Sequence, residues 1–315
     1  MPVVFLERGY KILFLNALLF YAALLARPGF AFEVPGPLVE TDWLQDHLQD
    51  VVVLDVREAE PTDTNSIAGA RRLPWKSVRA DRQENGETLL KMLPSKAAFE
   101  TLMRSLGVNK DSAIVITSEA EDVSTTFTGT RLYWQLKYFG HDNVALLNGG
   151  NAKWFQEQRP ISASVTRPAP GNFVAGEERR SILATTRDVE EALQDNSVTL
   201  LDTRPLVQYL GLYKKSYVYA PGHIPGAKSA DSAALLSPGR IKMLLDVEGL
   251  TEVLKERGID PHARSIVYCN SGHLASGSWF VEHELLGNPD VRLYDGSMHA
   301  WTKDSRRPLV RMKIE

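Results

Sequence analysis

Val198-Thr199-Leu200-Leu201-Asp202-Thr203-Arg204 is a short apolar run that closes on an acid, a small residue and an arginine. At an offset of 147 residues the chain has already read Val51-Val52-Val53-Leu54-Asp55-Val56-Arg57. Apolar, β-branched runs of this length predict buried strands. Three further blocks recur in the same order. His223-Ile224-Pro225-Gly226-Ala227 repeats Ser66 to Ala70, and Ser265-Ile266-Val267-Tyr268-Cys269 repeats Ala113 to Thr117. Gly287 to Trp301 repeats Gly140 to Trp154, with Asp295-Gly296 against Asn148-Gly149. Four blocks in one order predict a tandem duplication of one α/β unit. Strands alternating with helical stretches predict a mainly parallel sheet covered on both faces in each copy.

The copies diverge at one loop. The second has Cys269-Asn270-Ser271-Gly272-His273-Leu274; the first has Thr117-Ser118-Glu119-Ala120-Glu121-Asp122. Cys269 is the only cysteine in 315 residues. It closes a predicted strand and precedes a helix expected over about 275–286, where backbone N–H groups and the helix start favour a thiolate. A lone cysteine is also a small buried hydrophobe in many proteins. The first copy, expected to fold without a thiol and carrying three carboxylates there, argues for chemistry instead: carboxylates repel an anion.

Composition bounds the rest. Net charge is −3, which gives no nucleic-acid surface. One cysteine excludes an intrachain disulfide and a thiolate-rich metal site. No metal-ligand spacing, phosphate loop or dinucleotide fingerprint occurs, so neither metal nor cofactor is expected. At the N-terminus, basic Arg8 and Lys11 precede an apolar run from Ile12 to Ala26, then Gly29-Phe30-Ala31. That predicts a signal peptide over 1–31, with mature protein from near Phe32, export to the periplasm, and no membrane association after cleavage. A retained anchor is the alternative. The remaining boundaries are 37–158 for the first unit, a Pro- and Gly-rich linker over 159–178, and 179–315 for the second.

Leu201-Asp202-Thr203-Arg204, Tyr219 to Ala227, the cysteine loop, and Leu293-Tyr294-Asp295-Gly296-Ser297 with Trp301 together resemble the rhodanese family of sulfurtransferases in its two-domain form. The loop is most similar to exported bacterial members. The resemblance implies two tandem rhodanese-like domains of the α/β class, the first inactive and the second catalytic. It implies a loop, Cys269 to Leu274, curled into a cradle whose N–H groups point at the sulfur. It also implies a ping-pong reaction: Cys269 takes a sulfane sulfur from a small anionic donor, thiosulfate, and passes the persulfide sulfur to cyanide or a thiol. 3-Mercaptopyruvate is the alternative donor, and a non-catalytic module binding sulfur species or a partner is the reading from another class. A cysteine phosphatase or arsenate reductase needs Cys-x5-Arg, and the sixth residue after Cys269 is Ala275.

Supporting residues carry weaker expectations. Asp202 and Arg204 end a strand where α/β sheets place ligands, which makes them candidate supporting residues, but they recur as Asp55 and Arg57 in the copy without a thiol, so a structural ion pair or hydrogen-bonding role is expected. His223 sits in a structural turn. His273 either brings charge or a hydrogen bond to the sulfur or faces solvent. Gln208 stands where family members that use either donor carry an arginine. Lys214, Lys215, Arg240 and Lys242 are the basic residues that could replace it.

Overall fold

The computed structural model describes residues 32–58, 65–84, 86–162, 168–195 and 197–313. The predicted signal peptide, 1–31, lies outside the described residues. The first half runs β1 (Leu38–Val39), α1 (Thr41–Asp46), β2 (Val52–Arg57), β3 (Ser66–Ile67), β4 (Arg71–Pro74), β5 (Ala80–Glu84), β6 (Glu87–Met92), α2 (Lys96–Ser105), β7 (Ile114–Thr117), α3 (Val123–Tyr138), β8 (Val144–Leu147), α4 (Gly150–Gln156) and β9 (Ile161–Ser162). The second runs β10 (Leu183–Ala184), α5 (Thr186–Ala192), β11 (Thr199–Asp202), α6 (Leu206–Tyr209), β12 (Lys228–Ser229), α7 (Val247–Glu256), β13 (Ser265–Tyr268), α8 (Leu274–Trp279), β14 (Val291–Tyr294) and α9 (Ser297–Trp301).

Each half builds one five-stranded sheet, ordered β1-β8-β7-β2-β4 and β10-β14-β13-β11-β12. Every pairing in both is parallel. The central strands are buried along their length, as a sheet covered on both faces requires.

Strand register corrects one pairing of the copies. Asp55 lies opposite Thr117, and Asp202 opposite Tyr268. Thr117 therefore corresponds to Tyr268, and the counterpart of Cys269 is Ser118. The next bonds agree: Asn151 N–H donates to the Ser118 carbonyl at 2.8 Å, and Met298 N–H to the Cys269 carbonyl at 3.1 Å. A slip of one residue reverses the face of a strand, so the distinction decides what points at the loop.

Helix bounds also differ from the sequence reading. α3 begins at Val123, where Asp122 and Thr125 form a capping box. α8 ends at Trp279 and continues as a π-helical stretch, Phe280–Leu285, that buries Glu282. The main core unites both halves. α3 meets α8 closely: a Cβ on Gly277 would lie 2.4 Å from the Phe127 ring, and Thr130 and Ser276 hydroxyls bond at 2.8 Å. Trp154 and Trp301 repeat one device, each buried with its indole N–H on a proline carbonyl, Pro160 and Pro308. The segment between the halves lies on the first half, with Phe173 buried edge-on to Phe99.

Candidate active site

The loop from Cys269 to Leu274 leaves the end of β13 and enters α8. It is stitched to the turn between β14 and α9. The N–H groups of Cys269 and Gly272 each donate to Ser297 Oγ at 3.1 Å, and that hydroxyl donates to the Tyr294 carbonyl at 2.7 Å. The Cys269 and Asn270 carbonyls accept from Met298 N–H and His299 N–H. Leu274 closes the loop, its carbonyl accepting from Ser232 Oγ at 3.4 Å. Gly272 has φ +69°, and a Cβ there would lie 2.4 Å from Arg131 Nη1 and 2.8 Å from Asp295 Oδ1. Only glycine meets both demands. Among the described residues, no protein acceptor takes the N–H groups of Asn270, Ser271, His273 or Leu274. Two of the loop's six N–H groups thus hold Ser297, and no hydrogen bond from a loop N–H to the Cys269 sulfur is present among the described residues. Cys269 itself is buried.

The polar residues around the loop sort by contact. Asn270 Nδ2 donates to Gln208 Oε1 at 2.8 Å, so Gln208 orients the loop's second residue. Ser271 Oγ lies 3.5 Å from the Tyr217 hydroxyl. Arg204 grips Asp202 with two bonds, at 2.9 and 2.5 Å, and donates to the Gly222 carbonyl at 2.8 Å. In the first half Arg57 lies 3.0 Å from Asp55. His223 Nδ1 meets the Tyr209 carbonyl at 2.8 Å and its ring stacks on Tyr209.

His273 turns toward the first half, its ring centroid 4.5 Å from Trp75. Burial, with Arg79 and Arg131 nearby, lowers its pKa to about 3. The imidazole is neutral across the physiological range, so of the roles open to His273 the supply of positive charge falls away. Of the lysines and arginine named as replacements for the missing arginine, Lys214 donates to the Val218 carbonyl and Lys242 to the carbonyls of Ser237 and Gly239. Arg240 lines a cleft with Glu121 and Phe155.

The first half roofs the loop, which local sequence patterns gave no means to foresee. Arg131 on α3 donates to the Gly272 carbonyl at 3.3 Å and pairs with Asp295 at 2.5 Å, both side chains buried. The Leu93 N–H donates to the other Asp295 oxygen at 2.8 Å, and the Leu90 N–H to His299 Nε2 at 2.9 Å. The Arg79 guanidinium lies 4.0 Å from the Trp75 ring centre, and the Lys91 ammonium 3.8 Å from that of Tyr217. Ser297 and Asp295 stood inside a quoted motif, but only the folded turn shows what they hold.

Comparison with known proteins agrees with this architecture. A model of the rhodanese-like domain matches residues 40–157 and 185–304. The chain is 33% identical over 280 residues to the sulfur carrier protein TtuD of Thermus thermophilus, covering 85% of this chain and 94% of that one. It is 31% identical over 284 residues to a Haloferax volcanii protein named "Putative thiosulfate sulfurtransferase", covering 84% and 92%. The crystal structure of the Escherichia coli 3-mercaptopyruvate sulfotransferase SseA superposes with a TM-score of 0.70 at 26% identity, over 82% of this chain and 98% of that one. The chain belongs to the rhodanese-like family, with two such domains in tandem. Its class is that of the sulfurtransferases, which take sulfur from a donor and pass it to an acceptor.

Proposed function

We propose that this protein is a thiosulfate sulfurtransferase working through a persulfide on Cys269. The observation that carries the reading is the position of Cys269: the one cysteine begins a loop whose Asn270, Ser271, His273 and Leu274 N–H groups are not taken by any protein acceptor among the described residues. In the first step the Cys269 thiolate attacks the outer sulfur of thiosulfate. A Cys269 S–S bond forms, the donor's S–S bond breaks, and sulfite leaves with that bonding pair. In the second, a thiolate or cyanide attacks the outer persulfide sulfur and the Cys269 thiolate returns. Neither step needs an outside oxidant or reductant, and the loop N–H groups stabilise the anionic outer sulfur. The likeness to a protein named a sulfur carrier supports a bound-sulfur intermediate on this chain.

Intact-mass spectrometry after incubation with thiosulfate tests this. One added sulfur atom on the wild-type protein and none on Cys269→Ser is expected. A protein that gains no sulfur from any donor is instead a binding module. The SseA likeness favours 3-mercaptopyruvate as the second reading. Sulfite release against pyruvate release, at matched donor concentration, separates the two.

Export is part of the proposal, supported by the basic, apolar and small-residue order of 1–31. N-terminal sequencing of protein from a periplasmic fraction is expected to begin near Phe32. An uncut N-terminus refutes cleavage.

A further inference from the structure

We propose that the first domain, inactive by itself, supplies the anion grip of the second: Arg79 and Lys91 hold the charged end of the sulfur donor, in place of the arginine that Gln208 replaces. The inference rests on the sulfur-transfer reading and names its donor class, small sulfur dianions.

The geometry begins with contact. Arg79 stacks on Trp75, and Trp75 packs on His273 of the cysteine loop. Lys91 covers Tyr217, whose hydroxyl lies 3.5 Å from Ser271 Oγ. Each cation thus stands one aromatic ring away from the loop. Neither head group is consumed. Among the described residues, no carboxylate forms an ion pair with Arg79 or Lys91, no acceptor takes a hydrogen bond from either head group, and Arg79 Nε is buried without a partner. Carboxylates act on them only through space, Glu58 on Arg79 and Asp81 on Lys91. Burial and mutual repulsion lower both pKa values: Arg131 bears on Arg79, and Arg79 and Lys215 on Lys91. A donor dianion relieves that repulsion.

Two further cations near the loop are already engaged. Arg131 is held by Asp295, and Arg204 by Asp202. The loop itself, Cys269 to Leu274, has no carboxylate and a neutral His273. Lys91 also has φ 65°, a left-handed conformation that a non-glycine residue holds at a cost. The roof keeps it there, over Tyr217.

The test uses the full-length protein and the variants Arg79→Gln, Arg79→Lys and Lys91→Gln, with two readouts. In steady state, Arg79→Gln is expected to raise KM for thiosulfate about tenfold. Arg79→Lys should recover most of it, and Lys91→Gln should raise KM by less. Discharge of a preformed persulfide to neutral dithiothreitol should stay within twofold of wild type. The KM for 3-mercaptopyruvate, a monoanion, should rise less than that for thiosulfate. The second readout does not depend on sulfur transfer: the rate of Cys269 alkylation by anionic iodoacetate relative to neutral iodoacetamide. Wild type should favour the anion, and Arg79→Gln should lose several-fold of that preference. Both readouts unchanged within twofold in Arg79→Gln and Lys91→Gln overturn the proposal. If wild type takes no sulfur from any donor but shows the alkylation preference, the sulfur-transfer reading fails and the anion grip of the roof stands. Should Arg79→Gln fail to fold, Lys91→Gln, on the surface hairpin, decides.

Discussion

The loop after β7 and the loop after β13 grow from equivalent strand ends and are roofed in the same way, each by the other half. Leu93 N–H donates to Asp295 at 2.8 Å; Leu244 N–H donates to Asn148 at 3.2 Å. What differs is the charge on either side of each seam. The first loop carries Glu119, Glu121 and Asp122, and its roof meets it with Lys242, whose N–H reaches the Ala120 carbonyl at 2.8 Å. Burial, then the neighbouring Glu121, Asp55 and Asp122, push Glu119 upward against the pull of Arg57. The space left beneath that roof, lined by Ser118, Ala120, Lys242 and Leu244, is about 20 Å³. That is room for about one water molecule. The second loop is neutral under a cationic roof. The duplication has kept one architecture twice, with three carboxylates on the first loop and none on the second.

The largest effect expected from breaking this asymmetry is at Gly272. Replacing it by alanine places a methyl 2.4 Å from Arg131 Nη1 in a left-handed backbone conformation. The loop must then leave Ser297 or expel Arg131. Sulfur transfer by Gly272→Ala is expected to fall by a hundredfold or more, with stability lower by about 1–3 kcal/mol. Activity and thermal unfolding on one preparation check both. Normal activity would mean that the loop's seat on Ser297 is not needed.

Next comes the seam itself. Arg131→Met leaves the Asp295 carboxylate buried without its cation and is expected to cost about 3–5 kcal/mol. The double variant Arg131→Met, Asp295→Asn makes position 295 match Asn148 of the first half and should recover part of that loss. Urea unfolding of the three variants gives the coupling. If the double variant is no better than the single, the pair is not what joins the halves here.

Much of this was legible without coordinates, and the boundary is physical. Periodic apolar runs announce strands, and their recurrence announced two sheets. The thiol's place at a strand end followed from the same pattern. Asp202 and Arg204 were separable from the chemistry because Asp55 and Arg57 repeat them beside no thiol. Register was not legible to the residue: Thr117 seemed to match Cys269, and only the pairing of Asp55 and Asp202 moved the match to Ser118. Contacts across the seam were not legible at all. Nothing local in Trp75, Arg79 or Lys91 announces a loop nearly 200 positions later in the chain. Gln208 read as a lost arginine, and the fold shows it holding Asn270.

A smaller effect separates the helices behind the two loops. Glu282 lies buried in the π-helical stretch, accepting from Ser265 Oγ at 3.2 Å. At the same 147-residue offset the first half has Gln135, whose amide donates to the Val78 carbonyl at 2.7 Å. Burial raises the Glu282 pKa from 4.5 to about 8. Between those values the folded protein holds a proton that the unfolded chain releases, so stability falls as pH rises from about 4.5 to about 8 and levels off above. Glu282→Gln gives the second half the residue of the first and removes that slope. Its melting temperature should match wild type near pH 4.5 and exceed it by several degrees at pH 8. Parallel pH profiles would show that the carboxyl is not protonated in the fold.

The smallest expected effect is the most direct question to put to the duplication. Ser118→Cys, in a Cys269→Ser background, restores a thiol at the structural equivalent of the reactive one. Serine and cysteine differ little in volume, so the fold should tolerate it. Sulfur loading should stay at background. The thiol would sit under Leu244 and Lys242 with about 20 Å³ of free space, beside Glu119, and a dianionic donor would meet both walls and like charge. Mass spectrometry after thiosulfate reads the result. A sulfur adduct on residue 118 would mean that a thiol on this strand end is sufficient. The carboxylates and the roof of the first half would then not be what silences it, and roof charge would not select the working site.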